Sequence, residues 1–527
     1  MSVKSEKVLL LALLLAATDV GPDLGGVAPG TPIVAIQIVR HDVFDVEDPA
    51  TSSWPYRAAN ALHIVSQERY IRSLLLFREG DPLDPDLLAE SARLLRASGF
   101  LSPVFITARP AAGGAEVTIE TRDQWTTEAG LSVGFAGSQS DLYVRFEEQN
   151  FLGWGKEVGV GWRSDPERET VILRYGDPLF LGTRWQLAAE YQDASDGSVE
   201  AFRLAYPFYA LATPRTAGFD WRHQRRTEYL WSDGEKAVEG RADRERFSLW
   251  GGIRLPSGPS VTNRLTVGLF SQRSEFADWQ RRDGGAYPDP EDLDLSGVQV
   301  GFRQLADRWE VVTGFQAWWR QEDVPLGPNW GVELGFALPG LGADRRALLL
   351  EGDLYLARLA NRRYRWLAVA LTGRLEEEGG LVDAVSHLEV GASQIGDSAL
   401  RGRLVLDLGH QLDLDRQLTL GADIGLRGWE PNTFDGTSRA LLNLEWRRRL
   451  TGELLHVAVL GCEIFVDAGA TWDARVGRTT DGVRADAGVG LLAELTRASI
   501  VRVARLEVGF PDDGSGPLVI FTAQALF

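Results

Sequence analysis

Leu265-Thr266-Val267-Gly268-Leu269-Phe270 puts Leu265, Val267 and Leu269 on one side of an extended chain and Thr266, Gly268 and Phe270 on the other. Successive side chains of a β-strand point to opposite faces, so this alternation reads as a strand. The same texture lies on both sides of it. Trp185, Leu187, Ala189 and Tyr191 alternate with Arg184, Gln186, Ala188 and Glu190, and Val298, Val300 and Phe302 alternate with Gln299, Gly301 and Arg303. One face is apolar and the other polar or small. From Trp125 to the last residue, such runs are separated by clusters of Gly, Asp, Pro and Ser. A period of two sustained over roughly 400 residues is the pattern of a transmembrane β-barrel.

A soluble β-sandwich or propeller alternates in the same way. Three features favour the membrane. Trp318, Trp319, Trp330, Tyr206, Phe208 and Tyr209 cluster near expected strand ends, as interfacial girdles require. Long acidic or polar connections alternate with very short turns, and the chain closes on a strand ending in Phe527. In a closed barrel the polar residues face the lumen and carry little information about chemistry.

The chain has 527 residues, too many for one ordinary soluble core, and its 55 Lys and Arg against 74 Asp and Glu give a net charge of −19. Such an acidic chain repels phosphate backbones, which argues against nucleic acid as a partner. The lone Cys462 excludes an intrachain disulfide, a cysteine-built zinc site and an iron–sulfur cluster. His41, His63, His223, His387, His410 and His456 are dispersed, with no pair at metal-ligand spacing. There is no Gly-x-Ser-x-Gly elbow. A Ser–His dyad of the kind membrane phospholipases use would leave no sequence trace. Asp289, Glu291, Asp292 and Asp294 form an acidic run that reads as a solvated loop before it reads as a calcium site. We expect no enzyme, no catalytic residue, no metal and no cofactor.

The N-terminus has the layout of an export signal: Lys4 and Lys7, then an unbroken apolar run from Val8 to Ala17, too short to span a bilayer as a helix. We assign 1–28 to the signal and a linker. Residues 29–123 read as a small α+β domain. Ile33 to Val39 alternates as a strand, and a short helix is expected from Ser66 through Ile71. A clearer helix starts at Asp84 as cap and Pro85 as first residue, and ends at Gly99. Leu88, Ala92 and Leu95 share one of its faces. Val104 to Ala108 and Glu116 to Thr121 follow as strands, divided by Ala111-Ala112-Gly113-Gly114. The expected order is strand, helix, helix, strand, strand.

Four segments carry a family resemblance. Arg78-Glu79-Gly80-Asp81-Pro82, the helix through Phe100 and the strand at Val104 resemble a POTRA domain. Gln149-Asn150-Phe151-Leu152-Gly153-Trp154-Gly155 resembles the turn after the first barrel strand of BamA-type proteins. Its glycines are no dinucleotide loop, because no βαβ unit surrounds them. Gly425-Leu426-Arg427-Gly428-Trp429 resembles the Arg-Gly-aromatic tip of that family's inward-folded sixth loop, with Trp429 where the family more often has Phe or Tyr. Phe465-Val466-Asp467-Ala468-Gly469 resembles the Phe-x-Asp-x-Gly strand that follows it. The chain is thus similar to the BamA/TamA-type outer-membrane assembly superfamily.

The resemblance implies a mainly β fold: an antiparallel barrel of about sixteen strands over 124–527, behind one POTRA-like domain. It implies an outer-membrane protein that assists insertion or translocation of outer-membrane or secreted proteins. The alternative is a passive channel or structural barrel with no client. Implied partners are outer-membrane lipid, client proteins and the machinery that inserts barrels. The site residues it implies are Asn150, Phe151, Leu152, Gly153 and Gly155 in the first turn, and Leu426, Arg427, Gly428 and Trp429 in the sixth loop. Phe465, Asp467 and Gly469 stand on the partner strand. Phe521, Ala523, Ala525 and Phe527 form the C-terminal insertion signal. Gly425 and Gly428 would let the loop turn tightly, and Arg427 would pair with Asp467 across the lumen.

Overall fold

The computed structural model describes residues 22–522 apart from 137–138, 259, 320 and 500–502. The export signal up to residue 21, and Ala523, Ala525 and Phe527 of the C-terminal signal, lie outside the described residues. The rest is mainly β: a small N-terminal α+β region leads into one large antiparallel barrel.

The barrel runs from Thr127–Ala136 to Leu518–Thr522, and each strand pairs antiparallel with the next along the wall. It closes where Phe135 pairs with Phe521 and Ala136 with Ile520. Among the described residues twenty strands make the wall, not sixteen. The surplus comes from thrift at the start. The first six strands, between Thr127 and Tyr206, are only 9 to 13 residues long. Later ones reach 21 residues, as in Glu235–Leu255 and Val261–Arg281.

Alternation sorts the faces as expected. On Ala458–Trp472, Leu460, Ile464 and Val466 point outward and are exposed, while Val459, Glu463, Phe465 and Asp467 are buried inside. Val160 and Trp162, Val267 and Leu269, and Val489 and Leu491 continue the exposed apolar face around the wall. A closed wall with that exterior pairs its strands with one another, which is what hydrocarbon demands of a spanning sheet.

The N-terminal region contains β1 (Ile33–His41), α1 (Trp54–Leu62), α2 (Glu68–Leu74), α3 (Pro85–Ala97), β2 (Leu101–Ala111) and β3 (Gly114–Asp123). The sheet order is β1-β3-β2, with β1 parallel to β3. Asp84 caps α3 by accepting from the amides of Asp86 and Leu87. Leu88, Ala92 and Leu95 of α3 pack with Ile71, Leu83, Val117 and Ile119 in one core. Three helices stand where two were expected. α1 escaped because it buries no residue, so it has no core-facing apolar stripe to detect.

Candidate functional site: two segments that enter the lumen

Residues 411–437 leave the mouth of the barrel remote from the N-terminal region and fold inward. On the far wall, the Gln417 amide donates to the Trp231 carbonyl at 3.0 Å, and Arg244 meets Asp415 at 2.7 Å. The tip of this loop is the Gly425-Leu426-Arg427-Gly428-Trp429 segment. Gly425 has φ of +121°, a left-handed conformation open to glycine. Its carbonyl accepts from Asn443 Nδ2 at 2.7 Å. Leu426 and Trp429 pack with Leu420, Phe434 and Leu441 in a buried cluster inside the wall.

Arg427 is 1% exposed and is held on several sides. Its Nε donates to Asp467 Oδ2 at 2.7 Å and its Nη2 to Asp467 Oδ1 at 3.0 Å, a bidentate pair. Nη1 donates to Glu507 at 2.8 Å and to Glu445 at 3.3 Å. The guanidinium carbon lies 3.7 Å from the centre of the Phe465 ring. The Phe-x-Asp-x-Gly spacing now has a physical reading. Phe465 and Asp467 both face inward, one as a stacking surface and the other as anion. At Gly469 a side chain would collide with Leu420 of the loop. Gly428 lies equally close to Asp486 and the Pro511 backbone.

The three carboxylates stand on Ser438–Arg449, Ala458–Trp472 and Val503–Pro511. The last of these pairs with the closing strand. Glu445 and Glu507 carry no motif, and strand parity is the only signal that marks them as inward. Around them, Glu445 also binds Arg447, and Glu463 lies 3.5 Å from Arg505. A buried cation among several anions is costly to break, because removing one partner strands charge in a low dielectric.

A second segment enters from the mouth nearer the N-terminal region. Between Leu293–Ala306 and Gly327–Ala337 the chain forms a separate hairpin, Trp309–Thr313 with Gln321–Pro325. Its tip crosses to the other wall. Trp318 is buried against Val459, Leu492 and Val503, and a side chain at Gly461 would run into its ring. The amides of Trp318 and Trp319 donate to the Glu494 carboxylate at 2.6 and 3.1 Å. Glu322 accepts from the amides of Phe315, Gln316 and Ala317, which holds the tip in shape. Trp318 is therefore not part of a girdle as the sequence suggested, because Glu494 and an apolar recess draw it into the lumen.

The N-terminal region is joined to this mouth. Gln67 donates from its backbone to the Gly153 carbonyl at 2.8 Å and from its side chain to the Leu152 carbonyl at 2.9 Å. Asn150 Nδ2 donates to Ser66 Oγ, and Asn150 Oδ1 accepts from the Gly155 amide. A side chain at Gly155 would collide with the Tyr70 ring. Phe151 and Leu152, in the same turn, are exposed. Ser66 in turn donates twice to Asp123, whose carboxyl burial pushes up to about 6. Elsewhere, the Trp125 amide donates to the Arg497 carbonyl at 2.9 Å. On α3, Glu90 accepts from the Leu211 amide at 2.6 Å, and Arg93 lies 3.5 Å from Asp307 at the root of the hairpin. Arg96 lies 3.9 Å from Asp323, whose carboxyl burial pushes up to about 7.

The acidic run is internally engaged: Asp289 and Asp292 accept from the Trp279 and Phe276 amides, and Glu291 pairs with Arg345 at 2.6 Å. Phe521 pairs with Phe135 at the closure.

The chain is similar over part of its length to a curated outer-membrane assembly factor and, more distantly, to solved outer-membrane barrels. No family model matches the chain. A Treponema pallidum (strain Nichols) protein described as "Putative outer membrane protein assembly factor" is 23% identical over 192 residues, 30% of this chain and 23% of that protein. The match thus spans under a quarter of the relative. Among solved structures, BamA from Haemophilus ducreyi lacking POTRA domains 1–3 is 13% identical with a TM-score of 0.38, over 93% of this chain and 83% of that one. CdiB from Acinetobacter baumannii is 11% identical with a TM-score of 0.41, over 93% of this chain and 73% of that one.

Proposed function

We propose that the protein is an outer-membrane β-barrel that assists the insertion or translocation of outer-membrane or secreted proteins. In this reading the N-terminal region is a POTRA-like domain facing the periplasm. The observation that carries it is Arg427, which fixes an inward-folded loop to three strands of the wall beside the closure. A loop held there braces the strands next to the barrel's two edge strands. Parting those edges would present unpaired N–H and C=O groups to which an incoming strand can add. The β2 edge of the N-terminal sheet, already bridged at Thr107 by Asp23, is a second place where a strand could add if Asp23 gives way. Asn150, Phe151, Leu152, Gly153 and Gly155 then serve as the joint between domain and barrel, and Phe521 belongs to the C-terminal insertion signal. The name of the Treponema relative agrees with this reading.

Depletion of the protein followed by quantitative proteomics of outer membranes tests it. Many barrels, or one class of secreted protein, should be lost. An unchanged proteome with altered permeability would favour a passive channel instead.

A further inference from the structure

α1 is amphipathic the wrong way round. Tyr56, Asn60 and His63, three and four residues apart, face the protein. Asn60 donates to the Phe44 carbonyl at 2.8 Å and accepts from the Phe44 amide at 3.1 Å. His63 lies 3.0 Å from Asp42. The outward face is Trp54, Ala58, Ala61 and Leu62, which share one side at helical spacing, with the exposed Arg57 at its border. Trp54 is 80% exposed and Leu62 76% exposed. A helix that turns its polar side to its own domain and its apolar side outward needs an apolar partner.

The neighbouring barrel turn names that partner. Tyr56 Oη donates to the Leu455 carbonyl at 3.0 Å, and its ring meets His456 edge-on at 6.2 Å. Leu455 is 78% exposed, with Leu450 and Leu454 exposed beside it. This turn connects Ser438–Arg449 to Ala458–Trp472, whose outward Leu460, Ile464 and Val466 belong to the apolar exterior of the wall. α1 is thus docked by its inner face against the rim of the barrel's apolar exterior, with its own apolar face left open. We propose that α1 lies in the interfacial layer of the same bilayer, on the leaflet nearer the N-terminal region, with Trp54 and Leu62 as anchors. Trp favours this depth because its ring is amphipathic, and short helices with one apolar face bind there in the membrane plane. The proposal rests on the reading of the barrel as membrane-spanning.

The test uses the full chain in vesicles of phosphatidylethanolamine and phosphatidylglycerol. In a Cys462→Ser background, spin labels are placed singly at Ala58→Cys and Ala61→Cys, at Ile464→Cys in the belt, and at Arg109→Cys on β2. Collision with oxygen, which enriches in lipid, is compared with collision with a water-soluble nickel chelate. The oxygen-to-nickel ratio at 58 and 61 should be severalfold that at 109 and below that at 464. Both alanines are exposed, so either label alone carries the result. Water-like ratios at 58 and 61 beside a lipid-like 464 would overturn the proposal and leave the barrel reading standing. A water-like 464 would overturn both. Exclusion of both colliders at 58 and 61, varying with protein density, would show a second copy on this face and overturn it as well.

Discussion

The loop from the far mouth and the hairpin from the near mouth both cross the lumen, but different bonds hold them. Arg427 of the loop meets Asp467, Glu445 and Glu507 in a buried charge cluster to which Arg447 and Arg505 also belong. The hairpin, in its described residues, reaches its main anchor through backbone and a ring. Its backbone amides at Trp318 and Trp319 meet Glu494, and the Trp318 ring fills an apolar recess. A charge cluster is exacting about geometry and unforgiving of a missing partner. Backbone donors and a packed ring tolerate small shifts and release in steps.

The sharpest way to break the contrast is Arg427→Ala. Three carboxylates lose their shared cation, and the expected cost is about 3–5 kcal/mol if the site is dry. The measurement is the temperature at which heat-modifiable electrophoretic mobility is lost. A double-mutant cycle with Asp467→Ala should be strongly non-additive; additive losses would mean that the pair is not coupled.

Next comes Trp318→Ala, which empties the recess formed by Val459, Leu492 and Val503 at an expected cost of about 3 kcal/mol. Limited proteolysis should then cut within 307–326 while the loop at 411–437 stays protected. Cleavage of both segments would show that they are one cooperative unit. Glu494→Gln should be milder, about 1–2 kcal/mol, because an amide oxygen still accepts but without charge. Faster amide exchange confined to Trp318 and Trp319 is the readout.

The smallest effect concerns pH. Burial holds the Asp323 carboxyl at about 7, above its ordinary 3.8. A raised folded value means that its contribution is full below the unfolded value and is lost as pH rises through about 7. Exchange at Val324, corrected for intrinsic rates, should therefore accelerate between about pH 4 and about pH 7, level off above that, and lose that dependence in Asp323→Asn. An unchanged pH profile in that variant would remove Asp323 from the forces that hold the hairpin.

The barrel was readable because few architectures besides a large closed sheet sustain a period of two for so long a stretch of chain. Strand number was not, because nothing in the alternation announces that the first six strands are short. Arg427 and Asp467 could be placed together through their motifs. Glu445 and Glu507 could not, since strand register, which brings them to the same layer, is not written locally. The Trp318-Trp319 doublet looked like an interfacial girdle, because the acceptor that captures it, Glu494, lies far along the chain. α1 was missed for the reason that makes it informative, its apolar side facing away from the core.

The N-terminal region and the linker that leaves it are hydrogen-bonded to the barrel on both sides of its closure. Gln67 and Asn150 hold the turn that leads into Lys156–Ser164, and Trp125 holds the turn that leads into Val503–Pro511. The two edge strands lie between these grips. Mechanically the domain is a clasp laid across a slit. Spreading the slit at this mouth does work against the clasp, and tilting the clasp does work on the slit. By reciprocity, whatever docks on the domain and favours its tilted pose also favours the open slit by the same factor. Anything bound to that sheet would feel the state of the gap through hydrogen bonds at its rim, without touching either edge.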